Sequence, residues 1–300
     1  MADRDEPGIV CVIVSYDAAR DPLPAVDAAL GHVRHVILVD NAEVARDFDR
    51  AKRPRLTVLA NGNRGALAGA YNLALAEIDA HLAHASHVLF LDDDSEVGAL
   101  PDFLAHAATR EACFRGDVAA VAPVYIERET GLRLAPIRLR RFTYRLLPRD
   151  VAGPVDVSFL INSMSLWRRQ ALLRIGPYDE GLGVDHVDTD YCLRAASLGY
   201  RLVLNTATPF AHSIGRRRMY RLFGKTLQSG GHAPARRRMI ARNTVAVARR
   251  HALAWPSFVA LCLVRLAYEA LGIVLAERDR REKLWAMARG VVDALRGRTG

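Results

Sequence analysis

Three consecutive aspartates, Asp92–Asp94, directly follow the apolar segment His87–Leu91. An apolar segment of this length, bounded by polar residues, is typical of a buried strand. Adjacent carboxylates repel one another, and a bound cation relieves that repulsion. The motif therefore predicts a divalent metal, Mn²⁺ or Mg²⁺, held by Asp92 and Asp94. A cluster of helix-capping carboxylates is the alternative, since polar residues follow the aspartates.

His212 is the candidate for a third metal ligand, because it follows the last predicted strand of the chain. The alternative is an ordinary surface or packed histidine, as most histidines are. A metal held by only a few protein ligands keeps positions for a substrate, which suits a substrate that carries a diphosphate.

A second acidic cluster contains Asp185, Asp188 and Asp190. A helix that begins near Asp188 would place its carboxylate at the positive end of the helix dipole. From there the carboxylate could deprotonate an acceptor hydroxyl, so Asp188 is the predicted catalytic base. Helix capping alone is the alternative.

Polar residues that could bind a nucleotide follow the other predicted strands of the first third of the chain. Asp40 could accept the ring N–H of uracil or thymine, although a turn-forming Asp-Asn pair is the alternative. The loop Asn61–Gly65 leads into a helix whose N–H groups could meet phosphate or ribose. The predicted nucleotide-sugar ligands are Ser15, Tyr16, Asp40, Asn63, Arg64, Gly65, Asn72, Asp92 and Asp93.

Short apolar runs alternate with helical patterns up to Leu91, which predicts an α/β fold with a mainly parallel central sheet flanked by helices. Ligands of such sheets bind beyond the carboxyl ends of the strands, so the polar clusters should converge on one crevice. Neither a dinucleotide-binding glycine fingerprint nor a P-loop follows the first strand, which weakens both of those interpretations.

Charge divides the chain into two parts. Residues 213–300 contain 19 Lys and Arg against 5 Asp and Glu, whereas the whole chain has a net charge of +9. We therefore predict a catalytic domain over residues 1–215 and a basic helical region over 216–300. A basic surface of this kind suits anionic lipid, nucleic acid or an acidic protein. The apolar segment Ala252–Ala276 carries Arg265 and Glu269, which favours a buried or interfacial helix over a membrane span.

Taken together, the motifs resemble a family 2 glycosyltransferase with the GT-A fold, the nucleotide-diphospho-sugar transferase fold, over about residues 8–215. Within that family the chain looks most like bacterial rhamnosyltransferases that use dTDP-L-rhamnose. The motifs that carry the resemblance are Ser15-Tyr16, Asp40-Asn41, Asn61–Gly65, Ala70–Asn72, Asp92–Asp94, Ile161–Ser163, Gly176–Glu180, Asp185–Arg194 and His212. Two segments depart from the family pattern, Asn41–Glu43 and Gly181–Val184.

The resemblance implies an inverting, metal-dependent transfer. Asp188 would activate the acceptor hydroxyl, Asp40 would read the pyrimidine, and the metal at Asp92–Asp94 with His212 would stabilise the leaving diphosphate. The implied partners are a dTDP-rhamnose donor and a cell-envelope glycan or polyprenyl-linked acceptor, but not nucleic acid. The implied location is cytoplasmic, with the basic helical appendage either on the anionic inner face of the plasma membrane, packed on the catalytic domain, or in contact with a second copy.

Three alternatives stay open at this point. One is a glycosyltransferase with a UDP-hexose donor. The second is a metal-dependent nucleotidyltransferase, disfavoured because Ser15–Arg20 lacks the glycine-rich basic loop that a triphosphate needs. The third is a non-enzymatic basic membrane-binding module, which leaves the ordered acidic clusters unexplained. The N-terminus lacks the apolar core of a secretory signal, and the four cysteines have neither zinc-site nor disulfide-framework spacing.

Overall fold

The computed structural model describes residues 8–49, 52–128, 131–212, 218–222 and 225–298. For residue 212 and the strands between residues 218 and 228 the description covers the backbone only. The chain forms two compact units. The first contains Met1–Pro136 and Leu147–His212, and the second contains Ile137–Leu146 and Ser213–Gly300.

The first unit is built on an eight-stranded sheet with helices between the strands, so the α/β prediction is confirmed. Its strands are β1 (Ile9–Ser15), β2 (His35–Asp40), β3 (Leu56–Ala60), β4 (His87–Asp92), β5 (Val118–Glu127), β8 (Pro154–Val157), β9 (Ser165–Arg168) and β10 (Arg201–His212). Its helices are α1 (Leu23–Leu30), α2 (Ala66–His81), α3 (Leu100–Ala105), α4 (Ala107–Phe114), α5 (Arg169–Ile175) and α6 (Val187–Ser197), with 3-10 turns at Val97–Ala99 and Glu180–Leu182.

The strand order is β3-β2-β1-β4-β9-β5-β10-β8. Strands β3, β2, β1 and β4 are parallel neighbours, whereas β9 runs antiparallel to β4 and β5, and β8 runs antiparallel to β10. All seven residues of β1 are buried, as are the residues of β4 before Asp92. Strands covered by helices on both faces lose apolar surface on both sides, which is why these segments are almost uniformly apolar.

The pairing register brings the polar strand ends together. Ser15 at the end of β1 lies opposite Asp40 of β2, and Asp40 lies opposite Ala60 of β3. On the other side of β1, Val14 lies opposite Asp92 of β4. The three polar clusters therefore share one edge of the sheet, as expected for parallel strands.

An aromatic cluster fixes the elements that surround this edge. Tyr71 of α2 contacts Phe90 of β4, with ring centroids 4.9 Å apart, and Tyr178, at 5.1 Å. Tyr178 stacks on Tyr191 of α6 at 3.8 Å, and Tyr191 in turn meets Trp167 of β9 edge-on. These large buried rings connect α2, the sheet and α6, the three elements that carry the predicted site residues.

The described residues of the second unit form two antiparallel strand pairs and three long helices. The strand pairs are β6 (Ile137–Leu139) with β7 (Tyr144–Leu146) and β11 (Arg218–Leu222) with β12 (Lys225–Ser229), and the helices are α7 (Pro234–His251), α8 (Pro256–Ala276) and α9 (Arg280–Leu295). Residues 137–146 belong to this unit, although the sequence analysis placed them in the catalytic domain.

A buried ion cluster and a small apolar core hold the helices of the second unit together. Arg237 of α7 pairs with Glu269 of α8 and with Glu277, and Lys283 of α9 donates to Glu277 at 2.8 Å. Ala241, Ile273 and Met287 form the apolar core between the same three helices. Each buried charge has an opposite partner, which is the condition for keeping charges in such a place.

Candidate active site

Asp93 and Asp94 at the end of β4 are already engaged by donors from the first strand and its loop. The hydroxyl of Ser15 donates to Asp93 Oδ2 at 2.7 Å, and Arg20 pairs with Asp94 at 3.8 Å. Burial raises the pKa of Asp93, and the Ser15 hydroxyl and Arg20 oppose that rise. Tyr16, by contrast, is 59% exposed.

The aspartates at this edge fit a divalent cation that is bound together with substrate phosphates. Asp92–Asp94 supply oxygen donors, the ligand type that Mg²⁺ and Mn²⁺ prefer. Among the described residues no group of three His, Cys, Asp or Glu side chains could hold a metal by itself. One or two carboxylates are sufficient where the substrate supplies the remaining oxygens.

His212 ends β10, where its backbone lies opposite Glu127 of β5. Its side chain lies outside the described part of the structure. Its role as a third metal ligand therefore stays a prediction.

Asp188 lies in the first turn of α6, near where the sequence predicted a helix to begin. Its Oδ2 accepts the backbone N–H of Asn162 at 3.2 Å, and its Oδ1 is buried without a hydrogen-bond partner among the described residues. Burial raises the pKa of Asp188 to about 7, and the negative charges of Asp92 and Asp185 add to the rise. A carboxylate poised near neutral pH has the proton affinity that a general base requires.

The same interactions show that Asp188 and Asp92 share one environment. Burial raises the pKa of Tyr71, and charge from both Asp92 and Asp188 raises it further. The end of β4 and the start of α6, almost a hundred residues apart in sequence, are therefore within electrostatic range of each other.

Asp40 is engaged by an arginine that the sequence analysis did not identify. Arg46 donates to Asp40 Oδ1 through Nε at 2.9 Å and through Nη2 at 2.7 Å, and its backbone N–H donates to Oδ2 at 2.7 Å. Arg46 Nη2 also donates to the Ser15 hydroxyl at 2.9 Å, and that hydroxyl donates to Asp93. A continuous hydrogen-bonded chain thus connects the predicted base-binding carboxylate with the aspartates of β4.

The glycine-bearing loop is held by its own amides. Asn61 donates to the Asn41 side-chain oxygen at 2.6 Å and to the Arg64 carbonyl at 2.7 Å, and Asn41 donates to Asn63 at 3.3 Å. The loop closes tightly on α2, because a Cβ on Gly69 would lie 2.0 Å from the Arg64 carbonyl oxygen. Only glycine permits this approach.

Asn72 connects α2 to the loop before α6. It donates to the Tyr178 carbonyl at 3.0 Å and to Glu180 at 2.9 Å, and it accepts from the Tyr178 N–H at 2.7 Å. Glu180 also lies against the glycine loop, since a Cβ on Gly65 would be 2.6 Å from its Oε2. The structure thus gives Asn72 and Glu180 a positioning role, and donor contact by Asn72 stays a prediction.

Removing Arg46 should destabilise the protein strongly, because Asp40 is only 1% exposed and would keep a buried charge without its cation. We expect Arg46→Ala to lower the free energy of unfolding by about 3 kcal/mol. Asp40→Asn in the Arg46→Ala background should recover part of this loss, as measured by urea denaturation. The control is Arg53→Ala, which breaks the exposed Asp27–Arg53 pair and should cost far less. If the effects of Arg46→Ala and Asp40→Asn on the free energy of unfolding were additive, the coupling between the two side chains would be contradicted.

Asp188 should make stability depend on pH with a definite sign. Because the pKa of Asp188 is raised in the folded protein, ionisation of this carboxyl destabilises the fold. The contribution of Asp188 to the free energy of unfolding therefore falls as pH rises from about 4 through about 7. Asp188→Asn removes that cost, and we expect its stabilising effect at pH 8 to exceed that at pH 5 by about 2 to 3 kcal/mol. Urea denaturation in EDTA at both values measures this. Asp102→Asn, on the exposed surface of α3, is the control, and an equal gain at both values would refute the raised pKa.

Comparison with known proteins gives one similar sequence and several similar structures. The chain is 22% identical to the dTDP-rhamnosyl transferase RfbF of Shigella flexneri, over 97% of each chain. Its fold resembles a structure of GalNAc-T7 with UDP, GalNAc and Mn²⁺, with a TM-score of 0.54 and 14% identity over 97% of this chain and 58% of that one. No family model matches the chain.

The structure of S. aureus TarS 1–349 is a second structural neighbour, with a TM-score of 0.55 and 13% identity over 97% of this chain and 82% of that chain. At these identities the structural likeness concerns the fold. The structural similarities confirm the predicted GT-A fold, and the sequence similarity to a rhamnosyl transferase extends over almost the whole chain.

Proposed function

We propose that this glycosyltransferase transfers L-rhamnose from dTDP-rhamnose, with inversion, to a hydroxyl of a cell-envelope glycan or lipid-linked acceptor. The observation that carries the proposal is Asp188. It is a carboxylate with a pKa of about 7, held through one oxygen by the Asn162 N–H, beside the aspartate that ends β4. The sequence similarity to a dTDP-rhamnosyl transferase over the whole chain supports the choice of donor.

Asp188 would act as the base in a single displacement. Its carboxylate takes the proton of the acceptor hydroxyl while the hydroxyl oxygen attacks the anomeric carbon of the sugar. The bond from that carbon to the diphosphate oxygen breaks on the opposite face, and dTDP leaves with the bonding electrons. One displacement on one face inverts the anomeric configuration, and the near-neutral pKa of Asp188 suits it to accept this proton.

Asp92–Asp94 would hold the diphosphate end of the donor. A divalent cation, when bound, supplies positive charge to the leaving diphosphate. The pair of Asp94 with Arg20 is long, at 3.8 Å, and both side chains are partly exposed, so exchanging this one interaction for a bound cation costs little. Ser15 holds Asp93 in place from the neighbouring strand.

Asp40 and Arg46 would form the nucleobase end of the site. Asp40 ends β2 beside β1, and Arg46 fixes the orientation of its carboxylate. A carboxylate so oriented can accept the N3–H of thymine. The same groups would also accept uracil, so a UDP-hexose donor is the alternative, as the UDP-bound neighbour illustrates.

The proposed acceptor places the enzyme at the cytoplasmic face of the membrane. A glycan on a polyprenyl carrier presents its hydroxyl close to a lipid surface of negative charge. The second unit of the chain is strongly basic and would favour that location.

Donor identity can be tested by calorimetric titration of the protein with dTDP-rhamnose, UDP-glucose, UDP-galactose and GDP-mannose, each with Mn²⁺ and with EDTA. We expect dTDP-rhamnose to bind most tightly and only with the metal. Preference for a UDP-sugar would replace rhamnose in the proposal but retain the glycosyltransferase. Absence of binding by all four would contradict the proposed donor site.

The role of Asp188 can be separated from donor binding by Asp188→Asn. We expect a loss of transfer of roughly a thousandfold or more, because removal of a general base costs about this much, with donor affinity nearly unchanged. Rates of dTDP release with a glycan acceptor measure the first, and calorimetry measures the second. Asp102→Asn is the matched control. Near wild-type turnover of Asp188→Asn would eliminate Asp188 as the base.

A further inference from the structure

One face of α8 is apolar and exposed along most of the helix. Leu263 is 63% exposed, Val264 57%, Leu271 41% and Val274 43%. With Tyr268 and Leu275, which are also exposed, most of these positions are three, four or seven residues apart, so they form one stripe along the helix. From Leu263 to Leu275 the stripe is about 18 Å long, from the rise of an α-helix. Contiguous exposed apolar surface of this extent is uncommon on proteins that meet only water.

The opposite face of α8 is fixed within the second unit. Cys262 and Ile273 are buried, and Leu266 packs on the core that α7 and α9 share with α8. Glu269, midway along α8, pairs with the buried Arg237 of α7. By length and composition α8 could cross a membrane, with a mean hydropathy of 2.1 in its most apolar window. Because α8 is attached to the basic helix α7, we interpret α8 as part of a folded unit rather than as a membrane span.

Exposed arginines stand at both ends of the stripe. At the N-terminal end, the carbonyls of Arg140 and Arg141, at the tip of the β6–β7 hairpin, accept hydrogen bonds from Ser257 of α8. At the C-terminal end, Arg278, Arg280 and Arg281 follow α8 and are exposed. The two segments of the second unit together contain 23 Lys and Arg against 5 Asp and Glu.

We propose that α8 lies in the plane of an anionic membrane surface, with its apolar stripe in the acyl-chain boundary and the arginines at its ends on lipid phosphates. An apolar stripe flanked by basic residues is the pattern of helices that lie in a bilayer interface. A second copy of the chain fits less well, because pairing two stripes would bring together two units of net charge +18. Membrane docking does not depend on which sugar the first unit transfers.

The test is co-sedimentation of the full chain with vesicles of phosphatidylcholine, with and without phosphatidylglycerol. We expect binding to the anionic vesicles that weakens as salt is raised, since the arginine contribution is screened. Two double variants then test the apolar stripe and the arginines separately. Leu263→Gln with Leu271→Gln should weaken binding by roughly tenfold or more, from the apolar area withdrawn from the lipid. Arg280→Gln with Arg281→Gln should weaken it by about 25-fold, at roughly one factor of five for each charge.

The matched control is Leu173→Gln, because Leu173 is comparably exposed but lies on α5 of the first unit. It should leave vesicle binding unchanged. Circular dichroism and donor calorimetry on each variant verify that both units remain folded. Loss of vesicle binding with intact donor binding would support the proposal, whatever the donor proves to be.

Three outcomes would overturn membrane docking by α8. One is wild-type protein that stays in solution with anionic vesicles. Another is binding that the α8 substitutions leave unchanged. The third is a wild-type dimer in light scattering that the Leu263→Gln, Leu271→Gln variant converts to a monomer without any effect on vesicles, which would assign the stripe to a second copy.

Discussion

Carboxylates that lie close together at one edge of a sheet repel one another. The rest of the first unit is arranged so that other groups offset this repulsion. Parallel strands end together, so Asp40 and the aspartates of β4 cannot be separated without changing the register. Asp188 adds a further carboxylate from α6. Donors from β1 and from the loops offset the repulsion, namely the Ser15 hydroxyl, the guanidiniums of Arg20 and Arg46, and the Asn162 N–H. At Asp188 the hydrogen bond from Asn162 only partly opposes the effect of burial, which raises the pKa of this carboxyl into the range useful for proton transfer.

The sequence was sufficient to predict the elements whose burial leaves a periodic or continuous pattern. Strand β4 was predicted to within a residue, and the other strands of the first third were predicted as short apolar runs, because a strand covered on both faces is an uninterrupted apolar segment. The meeting of their polar ends then followed from the geometry of parallel sheets. The start of α6 near Asp188 was predictable from the acidic residues that favour a helix N-terminus.

Contacts between segments that are distant in sequence leave no such pattern in the sequence. Nothing local to Arg46 indicates that it would clamp Asp40, and nothing local to Glu180 indicates contact with the glycine loop and Asn72. The chain also breaks between β8 and β9, which lie at separate places in the sheet. The break is set by pairing with β10 on one side and with β4 and β5 on the other. Such choices depend on the whole tertiary arrangement rather than on any sequence window.

The β6–β7 hairpin gives the chain an unusual order of assembly. It is synthesised in the middle of the first unit, yet its strands belong with helices that begin 88 to 134 residues further along the chain. Its tip accepts the hydrogen bonds of Ser257, at the start of α8. During synthesis the hairpin therefore leaves the ribosome before the helices of its own unit, while the segments on either side of it in sequence form the sheet of the first unit. For the same reason no single proteolytic cut releases the second unit intact, since any cleavage that isolates the three C-terminal helices leaves this hairpin behind.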